Sequence, residues 1–293
     1  MKKNQLLLGA HISVAQGLEK AFERGESIGC TAMQIFTKSN RQWKAKEITP
    51  EQADLFCATA KKSSIVSTMV HASYLINIAS SDESTHLKST SALIEELERC
   101  DKLKIPFLVL HPGTKGELDE KKGLDYVVEN LEKAFAATST HTMVLLEIMA
   151  GQGSSVCYSF DQLAYILKKN KYKSRLGICF DTCHAFAAGY DFRTQDTYKA
   201  MWKEFNETIG LEHLKAIHLN DSKKDLGSRV DRHEEIGKGK LGLEAFRFIM
   251  NDEKLFNVPK ILETPQDDLA DYAKNMAILI DLISIETKLK LGL

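Results

Sequence analysis

The sequence lacks any Cys-x-x-Cys pair, although six cysteines are spread over its 293 residues. A chain of this length can stabilise itself without disulfide bonds, so the cysteines need no pairing. No apolar run reaches the length of a transmembrane helix, and the segment 1–5 leads into an apolar run too short for a signal peptide. We therefore expect a cytoplasmic protein with reduced cysteines and no membrane partner.

The chain also lacks an excess of charge of either sign, since its formal net charge is −1. A protein that binds nucleic acid through bulk charge is normally more basic. Binding to an anionic polymer would therefore depend on a local basic surface or on bound metal. Hydrophobic residues make up 43% and charged residues 27%, which is typical of a soluble globular protein with a sizeable core.

Eight short apolar runs alternate with amphipathic stretches along the chain. Most of the runs are continuously apolar, as expected for parallel strands covered on both faces. We predict strands at 6–12, 32–36, 65–70, 107–110, 143–146, 176–180, 214–219 and 258–262. Helical spacing is found at 83–103, 124–136 and 161–169, and the first of these has an apolar stripe formed by Leu87, Leu93, Ile94, Leu97 and Leu103.

Eight repeats of strand and helix predict an α/β fold, a (β/α)₈ TIM barrel that forms one domain over 1–293. The alternative is an open, doubly wound sheet with additional elements. The barrel is favoured because no Gly-x-Gly-x-x-Gly motif follows the first strand and no linker rich in Pro, Gly or Ser divides the chain. The polar loop 220–241 is unusually long for a compact domain, and such loops are usually functional.

Side chains that bind metals follow most of the predicted strands. They are His71, His111, Glu147, Asp181, His184, His218, Asp231, His233 and Glu263. Active sites of TIM barrels lie at the carboxyl ends of the strands, so these five histidines and four carboxylates should meet at one rim. Imidazole and oxygen ligands without cysteine fit zinc or manganese in a hydrolytic site.

Each of these residues also has an ordinary structural interpretation. A single histidine near a strand end is usually a hydrogen-bonded core residue, and Asp181 could cap the following helix. Independent caps and core residues, however, would not collect every chelating type on one rim. The spacings agree with a shared site, because Asp181 and His184 are one helical turn apart and Asp231 and His233 would point the same way from an extended loop.

The charge of such a site indicates its class of substrate. The four carboxylates would repel an anion, whereas three divalent cations would more than neutralise them. The resulting positive site would attract a phosphodiester and could hold both its attacking and its leaving oxygens. The count of three metals is a hypothesis at this point.

Around these residues the sequence resembles the endonuclease IV family of zinc-dependent apurinic/apyrimidinic endonucleases, nearly from end to end. The motifs are Phe36-Thr37-Lys38 with Arg41-Gln42-Trp43, Ser73-Tyr74-Leu75-Ile76-Asn77, Ala150-Gly151-Gln152-Gly153, Asp181-Thr182-Cys183-His184, Ala187-Ala188-Gly189-Tyr190-Asp191, His218-Leu219-Asn220-Asp221, Gly227-Ser228-Arg229-Val230-Asp231-Arg232-His233 and Leu262-Glu263-Thr264. The resemblance implies a xylose-isomerase-like TIM barrel. It also implies an enzyme of base excision repair, of the type called deoxyribonuclease IV (phage-T4-induced).

The resemblance further implies three zinc ions per chain, with manganese as an alternative at one site. His71, His111 and Glu147 would hold the first ion; Glu147, Asp181, His218 and Glu263 the second; His184, Asp231 and His233 the third. Glu147 would bridge the first two ions, whose shared hydroxide would be the nucleophile, and Glu263 would be the other catalytic carboxylate. The third ion would stabilise the leaving 3′ oxygen. Cleavage 5′ to an abasic site would leave a 3′-OH and a 5′-deoxyribose phosphate, and blocked 3′ ends would also be processed.

Members of the family insert side chains into the DNA stack at the lesion, and Arg41, Tyr74 and Leu75 match those positions. On the sequence alone, packing for Tyr74 and Leu75 and a solvated charge for Arg41 would be the ordinary interpretation. The resemblance instead implies that they contact double-stranded DNA containing abasic sites. It is consistent with a monomer that associates with the nucleoid if the source is bacterial.

The chain departs from the family where many members have Glu-Asn-Thr, because it has Glu147-Ile148-Met149. Polar neighbours of a ligand tune its metal affinity, so zinc binding or rate could differ here. We assign His11 a supporting or structural role, leave Asp221 open between the two, and expect Cys179 and Cys183 to pack. Two other functions stay open: a metal-dependent sugar isomerase on the same barrel, and a lesion-binding protein without turnover.

Overall fold

The computed structural model describes residues 5–293, and its eight long strands close into a parallel barrel. The barrel strands are β1 Leu8–His11, β2 Ala32–Ile35, β3 Ser67–His71, β4 Phe107–Leu110, β5 Met143–Glu147, β6 Leu176–Asp181, β7 Leu214–His218 and β10 Lys260–Leu262. Around the barrel the order is β1, β10, β7, β6, β5, β4, β3 and β2. The predicted TIM barrel is therefore confirmed, and the open sheet is excluded.

Helices on the outside cover the apolar strands. They are α1 Lys20–Ser27, α2 Pro50–Ala60, α3 Glu83–Lys102, α4 Glu120–Ala137, α5 Phe160–Lys169, α6 Thr182–Ala188, α7 Gln195–Thr208, α8 Leu243–Asn251, α9 Leu269–Asp281 and α10 Ile285–Leu291. Within residues 5–293 no helix combines the length and the apolar character needed to cross a membrane.

The barrel is filled on the inside by a separate layer of side chains. Seven of its eight strands contribute one buried residue each: Ala32, Met69, Val109, Leu145, Cys179, Ala216 and Ile261. The outward-facing residues of the same strands join the larger core under the helices. Both faces of the sheet are therefore dry, which explains why the strands are continuously apolar in sequence.

The predicted boundaries agree with the observed ones to within a few residues, but one assignment in α3 was wrong. Leu87 is 59% exposed, whereas Leu93, Leu97 and Leu103 are buried. Leu87 lies at one edge of the apolar arc, about 20° from the half-buried Ile94 and about 120° from the buried Leu93. Leu87 therefore does not belong to the buried part of the apolar stripe.

The long loop 220–241 is an ordered structure. It contains a small antiparallel pair formed by β8 Asp221–Ser222 and β9 His233–Glu234. The buried carboxylate of Asp221 accepts hydrogen bonds from the backbone N–H groups of Ser222, Gly237, Gly239 and Leu241 at 2.7–3.0 Å. Asp221 thus holds the two ends of the loop together, which identifies its role as structural.

Candidate metal centre

The carboxyl ends of the barrel strands deliver the chelating side chains to one rim. His71, Glu147, Asp181 and His218 are the last residues of β3, β5, β6 and β7, respectively. His111 and Glu263 directly follow β4 and β10. The remaining three residues come from the first turn of α6 and from the loop 220–241. A closed parallel barrel brings these positions together because all of its strands end on the same side.

The nine side chains form three groups whose ligand atoms lie within 4.8 Å of one another. The groups are His71 with His111 and Glu147; Glu147 with Asp181, His218 and Glu263; and His184 with Asp231 and His233. Glu147 belongs to two groups, and its two oxygens are divided between them. Its Oε2 lies 3.3 Å from Nε2 of His71, and its Oε1 lies 3.2 Å from Nδ1 of His218.

The spacing of these donor atoms fits a small tetrahedral cation. Ligand atoms bonded about 2.0–2.1 Å from a tetrahedral zinc ion lie about 3.3–3.4 Å from one another. Nε2 of His111 lies 3.2 Å from Oε2 of Glu147, and Nδ1 of His218 lies 3.2 Å from Oε2 of Glu263. In the third group, Nε2 of His233 lies 3.4 Å from Oδ1 of Asp231 and 3.5 Å from Nε2 of His184.

The electrostatics of the rim also favour bound cations. Burial alone would raise the pKa of Glu147, but the imidazoles of His218 and His111 hold it well below its usual range. Burial likewise opposes ionisation of Glu263, and His218 and His11 reverse this effect and lower its pKa. Conversely, burial would lower the pKa of His184, but Asp181 and Asp231 raise it well above its usual value. Ionised carboxylates buried at this depth require positive charge beside them, which protons or metal ions can supply.

Backbone carbonyls fix the tautomers of three histidines. Nδ1 of His71 lies 2.7 Å from the carbonyl oxygen of Ala72, and Nδ1 of His233 lies 3.1 Å from that of Glu263. Nδ1 of His184 lies 3.0 Å from the carbonyl oxygen of Ile148. A carbonyl can only accept, so each Nδ1 carries the proton. In the neutral rings, Nε2 then presents a lone pair to its group, as a metal ligand requires.

The side chain of Gln34 fixes the tautomer of His218. Gln34 was not among the predicted site residues. The carboxylate oxygen Oε1 of Glu263 lies 2.6 Å from Nε2 of Gln34, and because a carboxylate accepts, the amide nitrogen faces it. The amide oxygen then accepts a hydrogen bond from Nε2 of His218 at 2.9 Å. Nδ1 of His218 is left free to face Glu147 and Glu263. Gln34 was detectable in the sequence as the single polar residue of an apolar strand.

His11 lies behind this group and belongs to none of the three. Its Nδ1 is 3.0 Å from the amide nitrogen of Gln34 and 3.3 Å from Oε1 of Glu263. Its ring packs on Phe36, with 4.2 Å between the ring centroids. The supporting role assigned to His11 from the sequence agrees with this position.

Asp181 caps a helix, which is one of the two roles that the sequence left open, and it also lies among the possible donors of the second group. Its Oδ1 caps α6 by accepting a hydrogen bond from the backbone N–H of His184 at 2.7 Å. Its Oδ2 accepts from the amide of Asn220 at 2.7 Å and lies 3.8 Å from Nδ1 of His218. Asn220 is a second orienting residue that was not among the predicted site residues.

Ile148 and Met149 follow Glu147 in the chain, and the contact of this segment to His184 does not depend on their side chains. The Ile148 side chain is fully buried in the core, and the hydrogen bond to His184 uses its backbone carbonyl. Cys179 and Cys183 also lie near carboxylates and imidazoles of the centre. Burial raises the pKa of each thiol to about 12. The thiols are therefore protonated packing residues in this arrangement.

The three residues matched to DNA insertion lie on two neighbouring loops beside the first group. The Tyr74 side chain is 52% exposed, with its ring centroid 5.1 Å from that of His71 and 5.5 Å from that of His111. Leu75 is half-buried, and Arg41 is exposed on the segment 36–49. The loops touch where the hydroxyl of Ser73 donates to the carbonyl of Asn40 at 3.0 Å.

Comparison with known proteins gives consistent matches over almost the whole chain. The family model described as a xylose isomerase-like TIM barrel matches residues 22–282. A protein named "Probable endonuclease 4" from Chloroflexus aggregans is 48% identical over 279 residues, which cover 94% of this chain and 98% of that relative. The crystal structure of endonuclease IV from Thermus thermophilus superposes with a TM-score of 0.83 at 33% identity, covering 94% of this chain and 98% of that one. A D-tagatose 3-epimerase-like structure reaches a TM-score of 0.71 at 20% identity, covering 94% of this chain and 97% of that one, and shares the fold alone.

Proposed function

Because this chain belongs to the endonuclease IV family, we propose that it is a base excision repair enzyme that hydrolyses the phosphodiester bond 5′ to an abasic site in duplex DNA. The products would be a 3′-OH and a 5′-deoxyribose phosphate. The observation that carries the proposal is the convergence of nine imidazole and carboxylate side chains in three groups whose ligand atoms lie within 4.8 Å of one another. One group would suffice for a simple metal site, whereas three suit a substrate whose charge must be neutralised at several oxygens.

We propose three zinc ions as the cofactors, held by the three groups. When bound, zinc lowers the pKa of water towards neutrality and stabilises negative charge on phosphate oxygens. The division of the Glu147 oxygens between two groups supports a bridging role. The fixed histidine tautomers support a preorganised site, because no ring has to turn before a cation binds. Manganese at one site remains part of the proposal, since the donors are imidazole and oxygen.

The side chains around the centre would recognise the lesion. An abasic site has lost part of its stacking, so opening the duplex there costs less than at an intact base pair. The half-exposed Tyr74 and its neighbour Leu75 would fill that gap as an apolar wedge, with the cation of Arg41 beside them. Arg229 and Arg232, which flank Asp231 in the loop 220–241, would supply local positive charge in a chain without net positive charge.

We also infer that residues 1–293 act as one domain and one chain, because all nine donors come from a single barrel. The same centre would remove phosphate and phosphodiester remnants from blocked 3′ ends, since there too the bond to be broken joins phosphorus to the 3′ oxygen. Release of inorganic phosphate from a nicked duplex with a 3′-phosphate would test this second activity.

The main test is incision of a duplex that carries one abasic analogue. Wild type and Glu147→Gln are compared before chelation, after strong chelation, and after zinc is restored, with metal content measured per chain. We expect cleavage 5′ to the analogue by the wild type, loss on chelation, recovery with zinc, and three metals per chain. Glu147→Gln should lower kcat by at least about 10²–10³-fold, as the loss of one charge-stabilising group does.

Two results would contradict the proposal. An intact duplex with metal-loaded wild type, together with isomerisation of a sugar, would favour the sugar isomerase, which would not need the pair of Asp231 and His233. Tight binding of abasic DNA without cleavage at saturating zinc would favour a lesion-binding protein. One metal per chain would overturn the assignment of three zinc ions.

A further inference from the structure

A second cluster of buried charges lies outside the metal centre, under the segment 36–49. Glu96 of α3 is 1% exposed, and its carboxylate lies 3.8 Å from the ammonium of Lys38, which is itself buried. Arg99, one turn further along α3, is 7% exposed. Burying three charged side chains is costly unless each of them is paired and hydrogen-bonded. None of the three belongs to a group of metal-binding donors.

The Glu96 carboxylate connects the two loops that carry Arg41 and Tyr74. Its Oε2 accepts a hydrogen bond from the hydroxyl of Thr37, at 2.8 Å, in the first loop. Its Oε1 accepts from the backbone N–H of Ser73, at 3.4 Å, in the second loop. One buried carboxylate therefore fixes the distance between two segments that are 36 residues apart in the chain (Thr37 and Ser73).

Arg99 holds the first loop through three hydrogen bonds to two residues, Thr37 and Lys46. Its Nε donates to the hydroxyl of Thr37 at 2.9 Å, and its Nη1 donates to the carbonyl of Lys46 at 2.8 Å. Its Nη2 also donates to the carbonyl of Thr37. The exposed Arg41 lies between these attachment points. The loop has no regular secondary structure, but both of its ends are hydrogen-bonded to side chains of α3.

We propose that Glu96 is a positioning residue for lesion recognition: it holds the loops of Arg41 and of Tyr74 and Leu75 at one separation, so that all three side chains enter the gap in the duplex together. The inference rests on the proposed function. Loops fixed before binding lose less conformational entropy when they engage DNA, so their rigidity contributes directly to affinity. Glu96 touches no donor of the metal centre, and its effect should fall on binding and leave the hydrolytic step unchanged.

The test compares Glu96→Gln with Glu98→Gln. Gln has nearly the shape of Glu but lacks the charge that Lys38 and Arg99 face, and Glu98 is an exposed residue of the same helix. We expect Glu96→Gln to raise the Kd and KM for the abasic duplex about tenfold, as the loss of a charge-assisted hydrogen bond does. The kcat, the metal content and the Kd for undamaged duplex should stay within about twofold of wild type, and Glu98→Gln should match wild type throughout.

A fluorescent adenine analogue placed opposite the abasic site reports whether the stack is opened. At saturating protein, wild type and Glu98→Gln should raise its fluorescence, and Glu96→Gln should produce a smaller rise. Thr37→Val retains the side-chain shape but removes the hydroxyl that donates to Glu96 and accepts from Arg99, so it should shift Kd and fluorescence in the same direction. This variant decides the question if Glu96→Gln does not fold.

Three outcomes would overturn the inference. The first is Glu96→Gln behaving like Glu98→Gln; the second is a drop in kcat or metal content with unchanged KM; the third is an equal loss of affinity for damaged and undamaged duplex. If the wild type itself neither binds nor incises the abasic duplex, the proposed function fails first, and that result is distinct from all three.

Discussion

The two ends of the same barrel bury ionisable groups in opposite ways. At the carboxyl ends of the strands, Glu147 is fully buried and faces imidazoles of at least four histidines. At the amino end of β10, Lys260 is also buried, and within residues 5–293 its ammonium donates to the backbone carbonyls of Leu255 at 2.6 Å and Val258 at 3.0 Å, with Asp252 as a more distant opposite charge. Glu147 is held ionised by its neighbours, whereas burial lowers the pKa of Lys260 to about 7.

The difference shows that burial of a charge does not by itself identify a functional site. A cavity of about 780 Å³ opens at the amino end, yet the described residues that line it include lysines such as Lys61, Lys104 and Lys215 and no carboxylate. The rim at the other end has ionisable groups of both signs whose lone pairs converge within 4.8 Å. A functional site is indicated by several ionisable partners around each buried group, whereas a single buried amine with backbone partners indicates structure.

Removal of metal should produce the largest change in thermal stability, and the accompanying loss of structure should be confined to the rim at the carboxyl ends of the strands. A ligand present at about 1,000 times its Kd stabilises the native state by about 4 kcal/mol, so stripping three sites should lower the Tm markedly. We expect strong chelation to lower the Tm and to expose the amides of the loop 220–241 to hydrogen exchange, while those of β10 stay protected. Calorimetry and exchange on the same samples measure both, and an unchanged Tm after verified metal loss would contradict the comparison.

At the amino end of the barrel, comparison of wild type with Lys260→Met should reveal a pH dependence of the free energy of unfolding that the rim does not cause. The pKa of Lys260 is about 7 in the native state and about 10.4 in the unfolded chain, so between these values the unfolded chain retains a proton that the native state has lost. The stability of wild type relative to Lys260→Met should therefore increase from pH 7 to pH 10, by about 1.4 kcal/mol for each rise of one in pH, and stay constant below pH 7.

Denaturant unfolding of both proteins at pH 7 and at pH 9.5 measures this difference. Lys215→Met is the matched control, because Lys215 lies at the same end of the barrel and is only half-buried. A difference between wild type and Lys260→Met that does not change with pH would show that the native-state amine stays charged through its two carbonyl partners.

The sequence was most informative where one physical rule acts on many residues together. Continuously apolar strands, repeated eight times with helices between them, identified the barrel, and the rule that strands of a parallel barrel end together placed the nine donors on one rim. The one wrong assignment came from the edge of an amphipathic helix. Leu87 is apolar and lies within α3, but it is at the edge of the apolar arc near the start of the helix, where it is exposed to solvent.

Supporting contacts were harder to predict, since they depend on which atoms of distant segments meet. The sequence contains Gln34 and Asn220 but does not show that their amides face His218 and Asp181. Backbone partners leave no trace at all, because any residue at position 148 would offer the same carbonyl to His184. The convergence of imidazole and carboxylate donors at the rim was therefore predictable, and the contacts that orient these donors were predictable only where a polar residue interrupts an apolar strand.

Within the rim, Gln34→Met should show how much the orientation of His218 contributes to metal affinity while His218 itself is kept. The variant keeps the volume but loses the amide that accepts from His218 and donates to Glu263. Loss of such a supporting contact costs about 10–100-fold in metal affinity or activity. Competition with a chelator of known affinity measures the change, and Met33→Leu on the same strand, with its side chain in the outer core, serves as the control. Equal affinities for the two variants would mean that Gln34 only fills space.

The smallest effect is expected at Ile148, the residue that follows Glu147. Ile148→Val removes one methylene from a fully buried side chain, so it should lower the free energy of unfolding by about 0.5–1.5 kcal/mol. Metal content and kcat should not change, because the hydrogen bond to His184 uses the carbonyl of residue 148. Chelator competition and incision kinetics measure both. A tenfold loss of metal affinity in Ile148→Val would show that the packing of this side chain, as well as its backbone, positions His184, and Gln34 and Ile148 would then support their histidines in the same way.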